Sequence, residues 1–151
     1  MKVTIHLNAD RDSFRGFTPS KALLTEAGTY DLPASQYVPD RTIPGMTHDE
    51  ALENQELYVN DILNYVFEQL NVGGDVVPAA PFTEDYRAAG HRSLSVGDLV
   101  TLDDTENSWA GFRGTYAVER FGFKKVLAAN IVIRRGISRA EFNISYKGVM
   151  A

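Results

Sequence analysis

One segment of this sequence fixes a large part of what the chain can fold into. Thr47 and Glu50 form a Thr-x-x-Glu capping box, in which each residue's side chain accepts the other's free backbone N–H. Asp49 and Glu50 also suit the positive end of a helix dipole. Apolar residues then recur at Leu52, Val59, Ile62, Leu63, Val66 and Leu70, one stripe at helical spacing. Asn71 and the pair Gly73-Gly74 mark the stop, because glycine takes the left-handed conformation cheaply. The pattern predicts a helix from about Thr47 to Leu70, with Glu53, Glu56, Asp61 and Glu68 on its outer face. A helix with one apolar stripe must cover something, and the flanking segments read as strands.

Lys2 to Leu7 alternates, which puts Val3, Ile5 and Leu7 on one face of a strand. Asn8 to about Pro44 is rich in Pro, Gly, Asp, Ser and Thr and reads as a long excursion, with one short strand near Gln36-Tyr37-Val38. Residues 75–92 read as a loop with a single helical turn near Thr83 to Tyr86. Strands are expected at Leu99–Leu102, Gly114–Glu119, Phe121–Leu127 after a bend at Gly122, Ala128–Ile133 and Phe142–Tyr146. The insert Asp103–Ser108 reads as a hairpin loop. The expected fold is one α+β domain over residues 1–151, helix before sheet: a long amphipathic helix packed on a curved, mostly antiparallel β-sheet.

Composition removes several classes of site. The chain has no cysteine, which excludes disulfides, thiol nucleophiles and cysteine-ligated metals. No run of about 20 apolar residues and no signal-like start is seen, so the expectation is a cytoplasmic protein that does not span a membrane. Charge is unevenly spread. Residues 1–106 carry 7 basic and 18 acidic side chains, while residues 107–151 carry 8 basic and 2 acidic ones. Such a split fits either internal complementarity or a basic binding surface.

Few residues point to a reaction. Asn8, Asp10 and Asp12 follow the first strand at the i, i+2, i+4 spacing that can curl around a hard cation. A calcium loop of that kind needs Gly at its sixth position and Glu at its twelfth, where this chain has Ser13 and Pro19. An Asx-rich turn closing the strand is the favoured reading, with an enzyme built on Asp10 and Asp12 as a distant alternative. His6, His48 and His91 are far apart, with His6 expected on the polar side of its strand. No phosphate-cradling glycine loop or serine-nucleophile elbow is present. No catalytic residue, metal ligand or cofactor is therefore assigned.

The remaining feature is the last third of the chain. Trp109, Phe112, Tyr116, Phe121, Phe123, Phe142 and Tyr146 interleave with Arg113, Arg120, Lys124, Lys125, Arg134, Arg135 and Arg139. Cations that displace phosphate counterions, beside rings that stack on bases, are the chemistry of nucleic-acid binding. Arg113, Arg120, Phe121, Phe123, Lys124, Lys125, Arg134, Arg135 and Arg139 are the candidate contacts. The competing and favoured reading buries the rings in the core and turns the cations toward the acidic helix.

Two ordered stretches, Gly90-His91-Arg92-Ser93-Leu94-Ser95-Val96-Gly97-Asp98-Leu99-Val100 and Tyr116-Ala117-Val118-Glu119-Arg120-Phe121-Gly122-Phe123-Lys124-Lys125-Val126, resemble the YodL-like domain family. The family pattern runs G-(H/R)-S-(L/M)-S-V-x-D-(V/L)-V-x-L, then an insert, then Y-x-V-(D/E)-x-x-G-F-x-x-(V/I). The resemblance covers about Tyr86 to Val126, and a preceding helix extends the similar core to about 47–127. Arg92 is an insertion before the serine of this pattern, Gly97 replaces a usual serine, and the segment from Asp103 to Arg113 is longer. Members typically belong to phages, plasmids and conjugative elements, and the family carries no established activity. The resemblance thus implies a setting, not a mechanism. The shared residues themselves read as fold-building: a tight turn at Gly97-Asp98, local bonds from Ser93 or Ser95, and a bend at Gly122. The expected function is a non-enzymatic accessory protein of a mobile element that binds a host or element protein, with DNA or RNA binding as the alternative.

Overall fold

The computed structural model describes residues 1–33, 44–71, 77–105 and 113–127. The fold is α+β: a five-stranded antiparallel sheet with one main helix. The strands are β1 (Lys2–Asn8), β2 (Leu24–Asp31), β3 (Leu99–Asp103), β4 (Arg113–Val118) and β5 (Phe123–Val126), in the spatial order β2-β1-β3-β4-β5. The main helix, α1 (His48–Gln69), lies between β2 and β3 in the chain, and a short α2 (Thr83–Ala88) follows it. The helix is therefore inserted between strands of the same sheet, with β1 and β2 before it. Among the described residues, no helix is long and apolar enough to cross a membrane.

The capping box forms as its spacing predicts. Glu50 N–H donates to Thr47 Oγ1 at 3.2 Å, and Thr47 N–H donates to Glu50 Oε2 at 3.4 Å. Val59, Ile62, Leu63, Val66 and Leu70 of the helix meet Val3, Ile5 and Leu7 of β1 and Val100 and Leu102 of β3 in the main core. The stripe is buried only in its second half, however. Leu52, expected to join it, is 48% exposed, and no helix residue before Val59 is buried. The first turns of α1 thus run past the core that the later turns cover.

Gln69 is a polar member of the buried helix face. Its Oε1 accepts from Ala79 N–H at 2.8 Å and from the Thr83 hydroxyl at 2.8 Å, which ties the start of α2 to the end of α1. On the opposite face of the sheet, a smaller cluster of Leu24, Leu99 and Ala117 is covered by Phe17, Ala22 and Val126. Beside it, threonines on neighbouring strands bond in pairs, Thr4 to Thr29 at 2.9 Å and Thr101 to Thr115 at 2.8 Å.

Strand β2 corrects the reading of residues 8–44 as an excursion. The β1–β2 register shifts between Ile5 and His6, so that Gly28 faces Ile5, Glu26 faces His6 and Ala27 is the extra residue. An extra residue breaks the period of two, and the sequence therefore shows no alternation there. The expected strands at Gln36–Val38, Ala128–Ile133 and Phe142–Tyr146 lie outside the described residues, as do Gly73 and Gly74.

Candidate binding surface and the buried Asp98 turn

The segment from Arg92 to Asp98 builds an interior turn. Gly97 adopts φ +90°, and a Cβ there would come within 2.7 Å of Ser13 Cβ and of the Ser13 carbonyl oxygen. Only glycine satisfies both conditions. The turn places the Asp98 carboxylate, fully buried, where donors from two distant parts of the chain converge. Asn8 N–H donates to Oδ1 at 2.8 Å, and Ser95 N–H donates to Oδ2 at 2.8 Å. The Arg92 guanidinium adds a fork, Nη1 to Oδ2 at 2.6 Å and Nη2 to Oδ1 at 2.7 Å. Nη2 also reaches the Asn8 carbonyl at 3.0 Å. Planar fork-to-carboxylate pairing is the strong form of such a bond.

Asn8 completes this arrangement from the end of β1. Its Nδ2 donates to the Gly97 carbonyl at 3.1 Å, while its Oδ1 accepts from Asp10 N–H and Leu23 N–H, both at 3.0 Å. The Tyr86 hydroxyl donates to the Arg92 carbonyl at 2.6 Å, and burial, followed by the Asp98 charge, pushes that phenol's pKa well above its usual value. Arg92 is thus the counter-ion of this turn. Sequence reasoning foresaw the Gly97-Asp98 turn but not Asn8 or Arg92, and where it expected a serine side chain to bond local backbone, the Ser95 backbone N–H donates to the Asp98 side chain instead.

The candidate metal loop is occupied by its own backbone. Asp10 Oδ1 accepts from Asp12 N–H at 3.2 Å, and Asp12 Oδ2 lies 3.9 Å from Lys21 Nζ. Asp10 is buried, and its Oδ2 has no hydrogen-bond partner. His6 also departs from expectation. It sits on the face of β1 away from α1, yet it is buried, with neither ring nitrogen hydrogen-bonded. Burial lowers its pKa, and Glu26 across the strand opposes that shift. His48 opens α1, and His91 lies against the Tyr86 ring at 5.0 Å. Among the described residues, no three His, Cys, Asp or Glu side chains gather in a way that could hold a metal ion.

A comparison of the chain with protein-family models, curated proteins and solved structures finds no match.

The basic, aromatic candidates divide. The β4–β5 connection is a tight turn in which Glu119 N–H donates to the Gly122 carbonyl at 3.0 Å and Gly122 takes φ +82°. Phe121 stands at its tip, 96% exposed, beside an exposed Arg120. Phe123, two residues on, turns inward: its ring meets Phe67 of α1 at 6.4 Å and packs against the main core. It is therefore not a free stacking surface, which corrects its place among the candidate contacts. Lys124 and Lys125 are exposed on β5, opposite Ala117 and Tyr116, on different faces of the sheet. Arg113 begins β4 at the far end of the strand, 3.9 Å from Asp103. Arg134, Arg135 and Arg139 lie outside the described residues, as do Trp109, Phe112, Phe142 and Tyr146.

Proposed function

We infer that this chain is a non-enzymatic binding protein of a phage or other mobile genetic element, working in the bacterial cytoplasm against a host or element protein. A long amphipathic helix on a curved sheet would serve as its scaffold. The setting is supported by the resemblance of residues 90–126 to the YodL-like family. The binding mode is supported by one observation above all: Phe121 is 96% exposed on a turn held by Gly122. A phenyl ring left in water forgoes about 2–3 kcal/mol of burial that a partner can supply. Aromatic residues with a neighbouring arginine are also the side chains on which protein interfaces most depend. The use of Asp10 Oδ1 and Asp12 within their own loop favours binding over a reaction at those carboxylates.

Comparing bacterial lysate proteins captured by the immobilised full chain and by its Phe121→Ser variant tests this reading. A protein retained by the first and lost by the second, with the melting temperature unchanged, is the expected result. Capture that ignores Phe121→Ser would overturn it.

Arg120, Lys124 and Lys125 on the same hairpin favour nucleic acid as the second reading. Three phosphate contacts on a single strand would give a log-affinity slope of about −2 against log salt. Binding of a single-stranded oligonucleotide that is salt-insensitive, or that survives Glu at these three positions, would remove it.

A further inference from the structure

The first turns of α1 present a second, chemically different surface. Val59 is the first buried residue of the helix, so His48 to Leu57 project beyond the core, a length of roughly 15 Å. This projecting end is preformed, since both bonds of the capping box close its first turn. It keeps apolar side chains in water: Leu52 is 48% exposed and Leu57 is 42% exposed. Leu57 also lines a shallow hollow of about 340 Å³, together with Pro44, Met46, Glu50, Glu53 and Asn54. Every Asp, Glu, Lys or Arg in α1 is acidic, and the helix contains no lysine or arginine.

A hollow that sets Pro44, Met46 and Leu57 beside the carboxylates of Glu50 and Glu53 fits a ligand with one apolar side chain and flanking cations. It disfavours phosphate-bearing partners, whose charge has the same sign. The geometry points to the Met46–Leu57 face of α1 as a docking site for a basic amphipathic helix of a partner protein, seated with a large apolar side chain against Leu57 and lysines or arginines toward Glu50 and Glu53. Laying one helix into such a groove is a recurring recognition mode. This assignment rests on the protein-binding reading above but uses a face separate from the Phe121 hairpin.

The test titrates the isotope-labelled full chain with a synthetic Leu/Lys amphipathic helical peptide and, in parallel, with its Leu/Glu counterpart, following backbone amide shifts. The Leu/Lys peptide should perturb residues 46–57, and the Leu/Glu peptide should not bind. Leu57→Ser leaves every charge in place and should weaken binding about fivefold to tenfold, the loss of roughly half a leucine's burial. Glu53→Gln should weaken it and flatten its salt dependence, and Phe121→Ser should leave it unchanged. Shifts mapping to the hairpin or the sheet edges, equal binding of the Leu/Glu peptide, an affinity indifferent to Leu57→Ser, or no binding at all would each overturn the assignment. Because Phe121 is not involved, failure here leaves the hairpin reading standing, and the reverse holds as well.

Discussion

Replacing Asp98 by alanine tests whether the turn it anchors holds the fold together. The substitution removes the acceptor for Asn8 N–H, which is buried, and for Ser95 N–H, which is part-buried. Leaving a buried donor without a partner costs about 1–3 kcal/mol, and the part-buried one belongs near the lower end. The Arg92 side chain is 45% exposed, so its guanidinium can return to water, and its share falls to roughly 1 kcal/mol or less. The expected loss is therefore about 3–4 kcal/mol, a large part of the 5–15 kcal/mol that stabilises a typical domain. Urea unfolding should show a lower midpoint with an unchanged slope, and thermal unfolding a drop of roughly 6–16 °C. Asp98→Asn keeps one acceptor and should lose about half as much. Arg92→Lys keeps the charge but cannot span both carboxylate oxygens and the Asn8 carbonyl, and should lose least. A loss under about 0.5 kcal/mol for Asp98→Ala would refute the reasoning. So would a variant that stays fully stable but loses its partner, since Asp98 would then belong to a binding site.

Two of the positive-φ glycines, Gly122 and Gly97, separate steric from backbone effects. At Gly122 a Cβ meets open space, so Gly122→Ala should cost only the conformational strain, about 1–2 kcal/mol; at Gly97 the same strain adds to collision with Ser13, and Gly97→Ala should unfold at clearly lower denaturant. Equal midpoints for the two variants would contradict this packing. His6, whose pKa is lowered by burial, contributes stability that is present above the unfolded value near 6.5 and lost as pH falls below it, because the unfolded chain takes the proton first. From pH 6.5 toward 5, wild type should lose stability faster than His6→Phe by up to about 1.4 kcal/mol per pH unit. Parallel pH profiles would show that His6 is not held neutral by the fold.

What the sequence revealed depended on how local the cause was. The helix start was legible because Thr47 and Glu50 satisfy one another within one turn. β1, β3, β4 and β5 were legible because alternation and glycine turns are near-neighbour properties. β2 was not, because its extra residue at Ala27 is defined only by the register of its partner strand. Leu52 was assigned to the core because helical periodicity gives the direction of a side chain but not where the layer beneath it ends. The Asp98 turn was half legible: glycine and serine act within the turn, whereas Asn8 arrives from 90 residues away.

The hairpin yields the sharpest division between fold and target. Tyr116, Val118, Gly122 and Phe123 each have an interior or backbone reason for their identity. Tyr116 and Phe123 pack on the main core, Val118 is buried within it, and Gly122 holds φ +82°. Arg120, Phe121, Lys124 and Lys125 have no such role, and all four are exposed. Packing and backbone conformation fix the residues that make the turn, whereas the exposed ones are free to meet a partner. On the proposed binding role, grafting the Arg120-Phe121 pair into another hairpin of the same geometry is expected to carry binding with it. Grafting Tyr116, Val118 and Phe123 would carry only the fold.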